Sequence, residues 1–225
     1  MNAGAGPEPP SRAALAWYRV ARAIVYAAAW LAWRFKVVGR ENLPQTTAYV
    51  LAPVHRSYID TLLVGCAVPR RVRFMGKSGV FSSSLSARLF TSLGAFPVRR
   101  GTPDREALQM CERALAGGEP VVLFAEGRRG SGPELGPLLA GPAYLALRAN
   151  VPIVPVGIGG SERAMPVGAK RVRFNRVALV VGKPIWPPAG APGGRVPRRS
   201  VDELTGRLSS ELQSVFDEAL ALAPN

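Results

Sequence analysis

The sequence holds one histidine, His55, so imidazole chemistry has one place to happen. Asp60 follows five residues later, in AYVLAPVHRSYIDTLL. Positions five apart on a helix lie about 140° from each other, so one helix could not bring the two side chains together. A strand-to-helix turn could. His55 follows an apolar run, and Asp60 falls in the first turn of the next helical stretch, where it can face back toward the imidazole. A carboxylate on one ring nitrogen fixes the tautomer and supports the imidazolium that forms when the other nitrogen takes a proton. That pair is a general base suited to a hydroxyl. Ser57-x-x-Asp60 also fits a capping box, in which Asp60 would serve only the helix.

Other polar groups gather after strands. Glu126-Gly127-Arg128-Arg129 follows the apolar run Val121–Phe124, and strand ends in α/β sheets are where ligands usually bind. Gly127 allows close backbone approach, and the arginines can fork onto a phosphate. Gly94–Gly101 (GAFPVRRG) puts Arg99 and Arg100 at another strand end. Gly76-Lys77-Ser78 is not a Walker loop, because position 71 is Arg where the loop needs Gly. Ser161, in GIGGSER, lacks the G-x-S-x-G context of a nucleophile elbow. Cys66 and Cys111 lie in apolar or helical stretches and read as buried residues. Two cysteines and one histidine provide neither a zinc cluster nor a disulfide framework.

These groups need elements to hold them. Short apolar runs alternate with helical stretches. Strands are expected at Phe35–Val38, Tyr49–Pro53, Val72–Gly76, Phe96–Arg99, Val121–Ala125, Ile153–Gly157 and Ala178–Val181. Helices are expected at Tyr58–Val68, Ser84–Ser92, Pro103–Ala116, Gly141–Arg148 and Val201–Leu222. Thr102 is the expected cap of the third strand-linking helix, with Pro103 in its first turn. The alternation predicts an α/β single domain with a mixed, largely parallel sheet flanked by helices.

An N-terminal helix precedes it, expected over residues 12–35, after a Gly/Pro/Ala-rich segment 1–11 read as disordered. Residues 36–225 form the domain. Arg12, Arg19, Arg22 and Arg34 share one sector of the helix, opposite Trp17, Ala21, Ile24, Ala28, Leu31 and Phe35. Its longest uncharged stretch, Ala23 to Trp33, is too short to span a bilayer, which takes roughly 20 residues. An apolar face, a basic face and clustered Trp suit a helix lying in a membrane interface.

Composition agrees with such a setting. There are 29 Lys and Arg against 15 Asp and Glu, for a net charge of +14, so the partner should be anionic. Hydrophobic residues at 48% exclude a mainly disordered chain. Residues 161–200 carry much of the positive charge and could form a membrane or substrate surface. No interleaved basic and aromatic nucleic-acid module is visible.

In order along the chain, these groups resemble the glycerolipid acyltransferase family, whose best-known members are the lysophosphatidate acyltransferases. His55-Arg56-Ser57-Tyr58-Ile59-Asp60 is similar to its H-x4-D block. Gly94 to Arg100 is similar to the second block, Phe124 to Arg129 to the third (F-P-E-G-T-R), and Val151 to Val156 to the fourth (V-P-I-V-P-V). Ala125 replaces a Pro and Arg128 a Thr; after the third block, Leu138-Leu139-Ala140-Gly141 lacks the lysine often found there. The resemblance implies transfer of a fatty acyl group from acyl-CoA or acyl carrier protein to lysophosphatidate, giving phosphatidate in phospholipid synthesis. Other acceptors on the same chemistry are glycerol 3-phosphate, another lysophospholipid, or an amino or glycosyl lipid. His55 would be the base, oriented by Asp60, with no acyl-enzyme. Arg100, Arg129 and Lys77 would bind the acceptor's phosphate. Glu126, Gly127, Arg128 and Gly94 would contact substrate, with Glu126 holding Arg129 or a glycerol hydroxyl. Pro152 and Pro155 would line the acyl or pantetheine path. The resemblance implies no metal or tightly bound cofactor, an anionic membrane surface but no nucleic acid as partner, and a monotopic or peripheral place on the cytoplasmic face of the cell membrane.

Overall fold

The computed structural model describes residues 11–77, 91, 94–98, 105–166, 168–169, 171–188 and 195–224. Seven strands form one sheet: β1 (Lys36–Val38), β2 (Val50–Pro53), β3 (Arg73–Lys77), β4 (Ala95–Val98), β5 (Val121–Val122), β6 (Ile153–Gly159) and β7 (Ala178–Val181). Their order is β1-β7-β6-β2-β5-β3-β4, and every pairing is parallel except β6 with β7. The described helices are α1 (Arg12–Trp33), α2 (Asp60–Ala67), α3 (Arg105–Ala116), α4 (Gly141–Ala149), the single turn α5 (Ser161–Ala164) and α6 (Arg198–Leu222). The expected mixed, largely parallel sheet with flanking helices is therefore present. The expected helix Ser84–Ser92 and the Thr102-Pro103 cap lie outside the described residues.

Central strands bury both faces, which is why VLAP and IVPVGIG read as unbroken apolar runs rather than alternating ones. α6 covers β6 through Leu204, Leu208, Leu212 and Phe216, each no more than 2% exposed. Each such side chain contributes about 1.5–3 kcal/mol by leaving water. The approach is close because β6 carries Gly157 and Gly159: a Cβ on either would strike the α6 backbone at Val215 or Ala219.

α1 differs from its sequence pattern in two ways. It ends at Trp33, where Arg34 turns left-handed at φ 47°, so Phe35 leaves the helix and is buried at 2% exposure. Arg22 does not join a solvent-facing basic sector. Its guanidinium donates to the Cys66 and Val68 carbonyls, both at 3.4 Å, at the C-terminal end of α2. Those carbonyls have no intrahelical donors, so a cation there is favoured. α1 is thereby fastened to the helix that begins with Asp60. No described helix is long and apolar enough to cross a membrane.

Candidate active site

β2 and β5 are neighbouring parallel strands, and both deliver their next residues to the same edge of the sheet. His55 follows β2; Glu126 to Arg129 follow β5. The turn after β2 is closed by Asp60. Its Oδ2 accepts from the backbone N–H of Arg56 at 2.6 Å and of Ser57 at 2.7 Å, and lies 3.0 Å from His55 Nδ1. Asp60 is fully buried. The capping-box alternative forms in part: Asp60 takes the Ser57 N–H as a capping box would, and Ser57 Oγ accepts from Ile59 N–H at 3.4 Å, but the same carboxylate oxygen also holds Arg56 N–H and His55 Nδ1, so Asp60 does not serve the helix alone. Three donors on one carboxylate oxygen hold it without freedom to rotate. A carboxylate only accepts, so Nδ1 carries the proton and Nε2 is the basic nitrogen. The imidazole stacks on Phe124, ring centroids 4.0 Å apart, which fixes the second axis of its orientation.

Among the described residues no neighbouring group offers itself as a nucleophile. The Ser57 hydroxyl is buried and donates to the Met165 carbonyl at 2.7 Å. Burial pushes the Cys66 and Cys111 thiols up to about 12, so neither is a thiolate at neutral pH. Among the described residues no hydroxyl or thiol is hydrogen-bonded to the imidazole. Such an arrangement can act chemically as a base on a proton brought by a ligand.

Arg56 joins the two loops. Although 1% exposed, it donates to Glu126 Oε2 at 2.5 Å, to the His55 carbonyl at 3.2 Å and to the Glu134 carbonyl at 3.0 Å, and lies over the Phe216 ring of α6. Glu126 Oε1 accepts from the Gly136 N–H at 3.0 Å, and the Gly130 N–H donates to the His55 carbonyl at 2.8 Å. Glu126 is thus paired with Arg56, whereas the resemblance implied Arg129 or a glycerol hydroxyl as its partner. Arg129 lies instead over the face of Tyr58, 3.7 Å from the ring centroid. Residues 126–131, with Glu134, Leu135 and Leu139, line an open recess of about 830 Å³. Arg128 is exposed on it. Gly127 adopts φ +66°, and a Cβ there would strike Leu139, so the turn requires glycine.

The remaining expected site residues separate by sheet edge. Lys77 ends β3 at the His55 edge, whereas Arg100 lies outside the described residues. Gly94 precedes β4, at the opposite edge, where its carbonyl accepts from Phe74 N–H. Pro152 precedes β6, also at the far edge, and Pro155 sits mid-strand opposite Ala52; both are buried. Pro155 packs beside Gly182 and Val215 on the α6 side. Gly94 and Pro152 thus lie away from the imidazole, because parallel strands send their N-terminal ends to the far edge, and Pro155 is packed within the sheet. Arg56, Tyr58 and Phe124 were not singled out from the sequence. Arg56 and Tyr58 sit inside the His55–Asp60 segment, and adjacency was their only signal.

The match to known proteins is extensive. The acyltransferase family model matches residues 34–159, more than half of the chain. The chain belongs to the acyltransferase family. A chloroplastic 1-acyl-sn-glycerol-3-phosphate acyltransferase of Brassica napus is 30% identical over 156 residues, covering 67% of this chain and 44% of that protein. The Bacillus subtilis 1-acyl-sn-glycerol-3-phosphate acyltransferase is 28% identical over 151 residues, covering 67% of this chain and 73% of its own length. The chain therefore spans less than half of the plant relative and about three quarters of the bacterial one. The crystal structure of the 1-acyl-sn-glycerophosphate acyltransferase from Thermotoga maritima superposes with a TM-score of 0.77 at 20% identity, over 97% of this chain and 86% of that one. The acyltransferase fold thus extends over nearly the whole chain, α1 included.

Tyr58 is 46% exposed, so its value lies in orienting Arg129 rather than in packing. A cation–π contact at such a site is worth about 0.5–1 kcal/mol. Tyr58→Ala should leave the melting temperature within about 2 °C and raise the acceptor KM about two- to fivefold, read by calorimetry and steady-state kinetics.

Proposed function

We propose that this acyltransferase moves a fatty acyl group from acyl-CoA or acyl carrier protein to the free hydroxyl of lysophosphatidate, giving phosphatidate. The observation that carries the reading is the 3.0 Å bond from His55 Nδ1 to a buried Asp60, which leaves Nε2 as a base at the sheet edge. Nε2 takes the acceptor's hydroxyl proton as its oxygen attacks the thioester carbonyl. The tetrahedral intermediate collapses with loss of the thiolate, which receives the proton held on His55. Atoms balance without an acyl-enzyme, as fits the lack of a placed nucleophile among the described residues. The names of the plant and bacterial relatives support lysophosphatidate as acceptor.

Arg129, beside the recess and over Tyr58, is the described group best placed for the acceptor's phosphate; Lys77 and Arg100 belong to the same reading. α1 exposes Trp17, Val20, Ile24, Trp30 and Leu31 together with Arg12 and Arg19, and Arg34 is exposed just beyond its end. That surface supports peripheral attachment to an anionic membrane, and we place the protein on the cytoplasmic face.

Thiol release from acyl-CoA, with and without lysophosphatidate, tests the reaction: release should depend on the acceptor. Arg129→Ala should raise the KM for lysophosphatidate far more than that for acyl-CoA, by about 1.5–3 kcal/mol of binding, as for a hydrogen bond to a charged group. Arg129→Lys should recover part, since an ammonium lacks the planar fork. Equal use of monoacylglycerol, which has no phosphate, would move the acceptor to another lipid while leaving the base intact.

A further inference from the structure

The segment 171–176 (RVRFNR) is not absorbed by the site. Phe174 is 80% exposed and Val172 is 45% exposed, flanked by exposed Arg171, Arg173 and Arg176. A single exposed phenylalanine would mean little, but apolar side chains exposed as a group mark a contact surface, and Phe174 and Val172 lie on a segment bonded to the end of α1. The segment is not loose. Trp33 Nε1 donates to the Arg173 carbonyl at 2.9 Å, and Val177 N–H donates to the Trp33 carbonyl at 3.0 Å. Arg173 N–H donates to the Ala164 carbonyl at 2.8 Å, and Asn175 Nδ2 to the Gly160 carbonyl at 2.8 Å. The backbone bonds therefore hold an apolar tip outward at the end of α1, whose last turns expose Trp30 and Leu31, with Arg34 just beyond. From Arg163 to Val201 the sequence contains no acidic residue, so the loop and its chain neighbours on the C-terminal side carry positive charge only, and the acidic Glu162 beside its anchor is paired with Arg163.

We propose that the 171–176 loop is a second lipid-contacting element, in which Phe174 enters the acyl boundary of an anionic leaflet and the three arginines meet its phosphates. The inference rests on the reading above that the protein works at a membrane surface. Aromatic insertion beside guanidinium groups is the chemistry of an interfacial anchor. Two contacts, α1 and this loop, fix an orientation where a single helix would leave the domain free to roll about the helix axis. Loop and helix end are bonded through Trp33, so they would engage the leaflet as one rigid unit.

The protein provides a clean way to test this. Cys66 and Cys111 are buried and their thiols are held protonated, so a maleimide should label a new surface cysteine selectively. Full-length Phe174→Cys, carrying an environment-sensitive fluorophore, should brighten and shift to the blue on mixed phosphatidylcholine–phosphatidylglycerol vesicles. The same label on Ser210→Cys, exposed on α6, should not respond. Replacing Arg171, Arg173 and Arg176 together with alanine should lower partitioning at least about tenfold, given roughly fivefold for each basic residue at an anionic surface. A silent label at position 174 on vesicles that do sediment the protein would overturn the loop contact and leave the membrane reading standing. Failure to sediment with any vesicle would overturn the membrane reading itself. An equal response on pure phosphatidylcholine would overturn the role given to the arginines.

Discussion

His55→Ala should lower kcat by roughly 10²- to 10⁴-fold, the usual worth of a positioned general base. The fold should survive, because the imidazole side chain retains 13% exposure and its loss removes one stack and one hydrogen bond. The sequence has no second histidine to substitute. Circular dichroism should be unchanged while acceptor-dependent thiol release falls. Wild-type turnover in the purified variant would refute the assigned base. Asp60 separates two roles. Asp60→Asn keeps an oxygen for the Arg56 and Ser57 amides but no longer stabilises an imidazolium, so turnover should fall with little loss of stability. Asp60→Ala should lose both, since two buried N–H groups would go unsatisfied at about 1–3 kcal/mol each.

Much of this geometry was legible before any coordinates. The alternation of apolar runs and helical stretches located all seven strands, and the five-residue spacing of His55 and Asp60 required the turn that forms. Strand lengths followed less well. The run Val121–Ala125 reads as one strand, yet the regular ladder covers only Val121 and Val122, and the chain then turns to present Glu126. The final helix begins at Arg198 rather than Val201, because basic residues in its first turn mask an N-terminus that normally carries acids.

The site was legible as a set of motifs but not as a set of contacts. Periodicity says which residues face a core; it does not say which end of a strand faces the substrate. Gly94 and Pro152 belong to matching blocks yet lie at the edge opposite His55, because a block includes the residues that build a strand as well as those that follow it. Arg56 was invisible for the opposite reason. A charged residue in a polar motif reads as exposed, and its complete burial depends on Glu126, seventy positions away.

That burial makes the Arg56–Glu126 pair the next largest expected effect. The two groups meet at 2.5 Å with side-chain exposures of 0% and 5%. Removing one partner leaves an uncompensated charge in the interior, which typically costs about 3–5 kcal/mol. Glu126→Gln should fall at the lower end, because the amide oxygen can still accept from Arg56 or Gly136. Arg56→Met should cost more: it strands the Glu126 carboxylate, removes the Arg56 donor from the Glu134 carbonyl, and leaves the His55 carbonyl with the Gly130 N–H alone. The double variant Arg56→Met with Glu126→Gln should cost less than the sum, by about 1–3 kcal/mol, since neither charge then remains to be stranded. Urea denaturation of the four proteins measures this directly. The same series reads the site. Arg56 fastens the loop bearing His55 to the loop bearing Arg129, so Arg56→Met should lower kcat and raise the acceptor KM together even where the protein remains fully folded. Additive stabilities, or a loss of stability with unchanged kinetics, would mean that the pair only fills space and that the two loops hold their places without it.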